Sequence, residues 1–424
     1  AMRNKEAWRL LFIEDAFEPG SIMKALSISI ALDEGVVTPE SKFDAEGGTW
    51  FYRGKPLSDS SRRDVITVAT AIQKSSNIVT AKIGLLMGEE MLYNGLKKFG
   101  IGEKTGIPLK PESRGIFPAI SKWDGLSITR VPIGYSVAVT PMQMVRAYCA
   151  LADNGNLRKL RLFDRAENPE TGEWIENPLE PPVQIFKRPT TSQEMKTMLK
   201  AVTKEGGTAR QAGIPGYDVA GKTGTTKNDY DLAFSGHPPY YTAGIWMGYD
   251  SQKEIINANN AHLRIWSSVM SQIHYDKGLK NKEFKKPDGL TTRSICSASG
   301  MTPSSLCNSD YYGYGVTSDY VTTDFKGSTG GGTCTMHKSY TICSETGKLA
   351  GATCPTMNVV LAVNSDGTIK GKPSKVPEGK LNINISATCD SAHVSSSDED
   401  TNSTDPGTTD PGNGQSPEDN LWNK

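Results

Sequence analysis

The sequence predicts an α/β protein of the α+β type, in which a sheet carries helices on its faces. Three observations support this. Segments with helical apolar spacing come first, and another follows at about residues 191–205. Two strand-like runs, Val219 to Thr226 and Tyr241 to Tyr249, then follow each other closely. A segment with Leu263, Trp266, Met270 and Ile273 at helical spacing closes the series.

Composition narrows the function classes. The chain has 424 residues, of which 37% are hydrophobic and 22% charged, as in a globular core with polar additions. Lys+Arg and Asp+Glu both number 47, so the formal charge balances and no nucleic-acid partner is expected. No apolar run reaches the roughly 18–20 residues of a membrane span. No signal peptide opens the chain at Ala1-Met2-Arg3, so any membrane anchor or export signal is expected upstream.

Residues 5–35 are predicted helical, with Met23, Leu26, Ile28, Ile30 and Leu32 densely apolar and Gly35 as the stop. Residues 40–64 are turn-rich and predict loops and short strands. From Val65 to Met87 the apolar pattern is interrupted by Lys74-Ser75-Ser76-Asn77, which predicts two helices joined by a polar turn, with Gly88 closing the second. Another helix is predicted over 89–99. Thr140-Pro141-Met142-Gln143 predicts a capping box with proline at the first helical position. Thr191 with Glu194 predicts a second box. Between them, Asn168-Pro169-Glu170-Thr171-Gly172 predicts a hairpin turn. Lys227-Asn228-Asp229 predicts a turn after the first strand of the sheet, and the apolar Tyr241 to Tyr249 run is expected at its centre.

Near residue 283 the composition changes to Ser, Thr, Gly and Cys. The expected organisation is a main globular domain over 1–283, a Cys/Ser/Gly-rich extension over 284–390, and a disordered tail over 391–424. The extension contains a repeat: Ile295-Cys296-Ser297 to Cys307 and Ile342-Cys343-Ser344 to Cys354, with ten residues between the cysteines each time. This favours disulfides Cys296–Cys307 and Cys343–Cys354 in an oxidising compartment, reduced thiols being the alternative. Cys334 and His337 form a Cys-x-x-His. With no second pair at metal spacing, neither a metal nor any other cofactor is expected.

Chemistry points to three short motifs. Ser21 and Lys24 lie three residues apart at a predicted helix start, so they share one face. Ser75 and Asn77 sit at the polar break between two helices. Lys222-Thr223-Gly224-Thr225 lies on a strand. The chain order Ser-x-x-Lys, Ser-x-Asn, Lys-Thr-Gly is that of the penicillin-recognising serine acyltransferases. Up to about residue 226 the chain resembles the transpeptidase domain of class B penicillin-binding proteins, through Phe17-Glu18-Pro19-Gly20-Ser21, Lys74-Ser75-Ser76-Asn77, Val139-Thr140-Pro141, Glu205-Gly206-Gly207-Thr208-Ala209 and Ala220-Gly221-Lys222-Thr223-Gly224-Thr225. Beyond it, Pro239-Tyr240-Tyr241-Thr242-Ala243-Gly244-Ile245-Trp246 and the Cys-rich extension are more similar to class A members.

The resemblance implies a central antiparallel sheet flanked by helices, and a peptidoglycan D,D-transpeptidase acting on stem peptides ending in D-Ala-D-Ala. It implies β-lactams as inhibitors, other cell-wall synthesis proteins as partners, and a place at the outer face of the bacterial cytoplasmic membrane. In that scheme Ser21 attacks, neutral Lys24 is the base, and Ser75 relays the proton to the leaving nitrogen. Asn77 holds the acyl peptide. Lys222, Thr223 and Thr225 bind the substrate carboxylate, and the backbone N–H groups of Ser21 and Thr225 form the oxyanion hole. Gly224 would let substrate approach the strand. A D,D-carboxypeptidase and a β-lactam-binding sensor or scaffold without turnover are the alternatives, and the extension is a candidate wall- or partner-binding module. Glu90 and Asn94 have a hydrolase-like spacing but lie too close to Asn77 and are expected to be structural. Only 20 residues precede Ser21, so the sheet is expected to lack its first strands, leaving an unpaired edge and weak autonomous stability.

Overall fold

The computed structural model describes residues 9–226, 230–249, 251, 253–256, 258–323, 332–370, 380–391 and 393. Two compact units emerge: residues 1–293 with 318–325, and residues 294–317 with 326–424. The turn predicted at 227–229 and nearly all of the tail predicted at 391–424 lie outside the described residues.

The first unit is built round helix α1, Met23–Asp33, all eleven residues of which are buried. A helix apolar on every side belongs inside a core, and α1 packs against α3 (Asn77–Lys98) and α5 (Pro189–Thr203). The helix expected over 5–35 is interrupted. A short helix, Leu11–Glu14, precedes extended chain in which Phe17 exchanges backbone hydrogen bonds with Val139 at 3.0 and 2.9 Å. Pro19 and Gly20 explain the break: Gly20 adopts φ +51° before a single 3-10 turn, Gly20–Ile22, leads into α1.

Two helices do meet at the predicted polar turn, α2 (Val68–Lys74) and α3. Gly88, at φ 75°, kinks α3 where a stop was expected, so the helix predicted over 89–99 continues it. Helix α4, Pro141–Ala152, starts with the predicted Thr140–Gln143 capping box. The box expected at Thr191 does not form. Helix α5 begins earlier, with Pro189 in its first turn and no side-chain cap, and the Thr191 hydroxyl donates to Asp33 Oδ1 at 3.0 Å instead.

The sheet of this unit is antiparallel, in the order β3–β2–β1: Ala220–Thr225 is β1, Asp231–His237 β2 and Ala243–Gly248 β3. The centre is β2 and not, as expected, the later apolar run. Six of its seven residues are buried, whereas β3 is only half-buried. Its small and polar residues, Ala233, Ser235, Gly236 and His237, hide it from hydropathy patterning. Helix α6, Ala261–Asp276, packs on β2 and β3. Among the described residues β3 has no strand on its far side, where Phe17, Ile245 and Trp246 help line a cavity of about 1460 Å³.

The second unit is strand-rich and thinly cored. Strand Leu290–Cys296 (β4), which pairs with Val316–Thr322 (β5), has most of its residues in the first unit, as does β5; within the second unit His337–Cys343 (β6) pairs antiparallel with Thr356–Ala362 (β7). One buried cluster consists of Cys296, Ala298, Cys307, Cys334 and Ala362, and another of Ile342, Val359, Leu361, Val363 and Ile383.

Candidate active site

The three motifs converge on the hydroxyl of Ser75. Residue 75 ends α2 in the left-handed region (φ 59°, ψ 42°), which lets α3 start two residues later and turns the serine inward. Lys24 Nζ donates to Ser75 O and Asn77 Oδ1, both at 2.6 Å, and lies at hydrogen-bond distance, 3.1 Å, from Ser75 Oγ. Lys222 Nζ, from β1, donates to Ser75 Oγ at 2.9 Å. Both lysines are fully buried, while Ser21, Ser75, Asn77 and Thr223 are half-buried. The amines therefore lie behind a layer of hydroxyl and amide groups that a ligand can reach.

Ser21 sits in the 3-10 turn one helical turn before Lys24. Its hydroxyl makes no hydrogen bond to the described residues, so Lys24 is held by the Ser75–Asn77 corner and not by the serine beside it. Asn77 differs from expectation in the same way. Its Oδ1 is taken by Lys24 and its Nδ2 donates to Ser58 O at 2.8 Å, which leaves one N–H for a ligand. Thr223 Oγ1 lies 2.9 Å from Thr208 Oγ1, and Thr225 is exposed at the end of β1. The space behind Gly224 belongs to the serine turn, because a Cβ there would stand 2.9 Å from Pro19 O. Gly224 therefore admits the protein's own backbone at the serine turn. Gly20 is packed as closely: a Cβ would meet Thr225 O at 3.1 Å, so the serine turn and the end of β1 lie against each other.

The supporting contacts of three residues escaped the sequence reading. Asp59 accepts from Ser76 Oγ (2.6 Å), Asn77 N–H (2.6 Å) and Ile78 N–H (3.1 Å), which places a carboxylate on the N-terminus of α3. The buried Tyr148 hydroxyl donates to Ile22 O at 2.9 Å and ties the serine turn to α4. Lys74 Nζ donates to Gly206 O at 2.5 Å, beside Thr208. A lone aspartate in a turn-rich stretch and a tyrosine on an amphipathic helix carry no sequence signal of these partners.

Burial governs the lysines. α1 has no exposed face along which Lys24 could extend to water. Its amine is held well below the usual lysine range by desolvation first and the nearby Lys222 charge second, with Asp59 opposing. Burial pulls Lys222 down to about 7. Exposed Glu90 takes no part in the site.

Cys296 and Cys307 come together, as do Cys343 and Cys354, but the disulfides expected between them are not formed. Each pair is joined by a third cysteine and a histidine, and all seven cysteines are free thiols. The second pair that Cys334 and His337 seemed to lack is Cys296 and Cys307 themselves.

The fold and the three converging motifs are those of a penicillin-binding transpeptidase domain. The penicillin binding protein transpeptidase domain matches residues 1–260, and the chain belongs to that family. Peptidoglycan D,D-transpeptidase FtsI of Escherichia coli K12 is 32% identical over 57% of this chain and 39% of its own length. Penicillin-binding protein 1A of Clostridium perfringens is 28% identical over 75% of this chain and 37% of its own. The solved structure of penicillin-binding protein 3 from Mycobacterium tuberculosis in complex with ampicillin superposes with a TM-score of 0.57 at 25% identity, over 65% of this chain and 66% of that one. The chain thus spans about two-fifths of the length of these two curated relatives.

Proposed function

We propose that this chain is a D,D-transpeptidase that forms an acyl-enzyme at Ser21 on peptides ending in D-Ala-D-Ala, and that β-lactams acylate the same serine. The observation that carries this is the Ser75 hydroxyl held between the buried amines of Lys24 and Lys222. A neutral Lys24 has two N–H bonds and one lone pair. Ser75 O and Asn77 Oδ1 take the two N–H groups, and the lone pair remains to accept a hydroxyl proton. Ser21 Oγ attacks the penultimate D-Ala carbonyl, and its proton passes to Lys24. From Lys24 it moves through Ser75 Oγ to the departing nitrogen as the C–N bond breaks. An acceptor amine then attacks the ester, releasing the cross-linked peptide and restoring Ser21.

Cationic Lys222 with Thr223 and Thr225 binds the terminal carboxylate, and the backbone N–H groups of Ser21 and Thr225 stabilise the oxyanion. Among the described residues β1 has a strand neighbour on one side only, so its free edge is available to an extended peptide. This chemistry belongs outside the cytoplasm, on nascent cell wall, with other wall-synthesis proteins as partners.

Fluorescent penicillin tests the proposal. One label per chain is expected, at Ser21, lost in Ser21→Ala, and a D-Ala-D-Ala peptide should yield an amide product when an amine acceptor is supplied. A label that survives Ser21→Ala would sink the proposal. Labelling with only hydrolysis of the peptide would point to a carboxypeptidase.

A further inference from the structure

We propose that the second unit holds two structural zinc ions, one in Cys296, Cys307, Cys334 and His337 and one in Cys343, Cys354, Cys389 and His393. In each set the four ligand atoms lie within 4.8 Å of one another. Tetrahedral zinc, with metal–sulfur bonds of about 2.3 Å and metal–nitrogen of about 2.0–2.1 Å, needs sulfur–nitrogen edges of about 3.6 Å. The observed edges are 3.6 Å (Cys296 Sγ to His337 Nδ1) and 3.4 Å (Cys334 Sγ to His337 Nδ1). In the second set both Cys343 Sγ and Cys389 Sγ lie 3.4 Å from His393 Nε2.

The other nitrogen of each imidazole faces an oxygen that would orient it. His337 Nε2 lies 3.4 Å from Asp310 Oδ2 and 3.2 Å from Tyr314 O, and His393 Nδ1 lies 2.9 Å from Glu345 Oε2. A carboxylate behind the imidazole is the usual outer support of a metal-bound histidine.

The two sets are built alike. Gly300 N–H donates to Cys296 O at 2.8 Å, and Gly347 N–H to Cys343 O at 2.9 Å. Ser304 N–H donates to Cys307 Sγ and Gly351 N–H to Cys354 Sγ, both at 3.2 Å. The third cysteine is equivalent as well: Cys334 N–H donates to Thr302 O at 2.7 Å and Cys389 N–H to Leu349 O at 2.8 Å. Thr302 and Leu349 stand at the same offset after Cys296 and Cys343. The sequence repeat is therefore a repeated four-ligand cage, and β6 links the two by carrying His337 at one end and Cys343 at the other.

A disulfide in each set would strand one buried thiol and the histidine, whereas zinc uses all four groups. The unit also needs such a centre. Three of the five buried residues in its first apolar cluster are the ligand cysteines themselves, so little of that cluster would remain without the metal.

The test is zinc content and thiol count of the full chain, purified anaerobically without chelator. About two zinc ions per chain and seven thiols after denaturation in EDTA are expected. Cys334→Ser and Cys389→Ser should each leave about one zinc, and Cys149→Ser two. Cobalt in place of zinc should give tetrahedral thiolate–cobalt absorption, lost in the double variant Cys334→Ser/Cys389→Ser. Wild-type chain without stoichiometric zinc overturns the proposal, whether its cysteines are free or joined as Cys296–Cys307 and Cys343–Cys354 with three thiols left.

Discussion

Lys24 and Lys222 share one hydrogen-bond partner, the Ser75 hydroxyl, at 3.1 and 2.9 Å. This places the two buried amines within about 6 Å of each other, where like charges oppose one another. One of them must give up its proton cheaply. In the proposed reaction Lys24, one helical turn from Ser21, is the base and Lys222 is the cation that meets a carboxylate; burial lowers both amines.

Stability should record this burial. Lys222 titrates at about 7 in the folded chain and at 10.5 when exposed. Between these values the unfolded state binds more protons, so stability rises with pH. The contribution is complete above 10.5, is lost as pH falls toward 7, and has no slope well below 7. Each pKa unit corresponds to about 1.4 kcal/mol. Lys222→Gln is therefore expected to be more stable than the parent at pH 7, by up to a few kcal/mol, and to flatten the rise between pH 7 and 10. Urea unfolding of both proteins across that range measures the difference. Parallel curves would show that Lys222 keeps an ordinary pKa.

Asp59 positions the Ser75–Asn77 corner without facing the reacting atoms. Asp59→Ala removes the acceptor for Ser76 Oγ and for two N–H groups of α3. A loss of about 2–4 kcal/mol is expected, with acylation by penicillin slowed about tenfold or more through misplacement of Ser75. Thermal melting and stopped-flow acylation report the two effects, and Asp59→Asn should recover part of each. Acylation at the parental rate would remove Asp59 from the positioning role.

Gly134 sets the position of the serine turn. It accepts Gly20 N–H at 3.1 Å, and a Cβ on it would stand 2.1 Å from Gly20 O at a φ of +83°. Gly134→Ala is expected to cost about 2–4 kcal/mol from overpacking and strain and to depress Ser21 labelling. Gly216, at φ +79° with nothing within 4 Å of its Cβ position, is the control. Gly216→Ala should cost about 1 kcal/mol and leave labelling unchanged. Denaturant midpoints and labelling rates for the pair separate the close approach from the backbone strain.

The motif trio was legible in the sequence because each motif is a short run on an element whose type is set locally. Proline and glycine start the serine turn, a polar break separates two apolar helical runs, and small residues line the Lys-Thr-Gly strand. The capping box at Thr140 was legible for the same reason, since it is closed within four residues. The box at Thr191 failed because Asp33, distant in sequence, competes for its hydroxyl. Strand β2 was missed because its burial comes from neighbours on both sides and not from apolar residues of its own.

What the sequence alone determined is the identity and order of the three motifs, from Ser21 to Thr225, and a repeat that brings Cys296 near Cys307 and Cys343 near Cys354, though not as the disulfides it suggested. Only the tertiary structure decided that Ser75 stands between two lysines, that Asp59 anchors that corner, and that Cys334 and Cys389 occupy equivalent places. The reason is physical. Covalent spacing specifies neighbours along one turn or one hairpin, whereas groups joined by loops of unequal length meet only when the chain closes on itself. The second and third cysteines are separated by 26 residues in one repeat and 34 in the other.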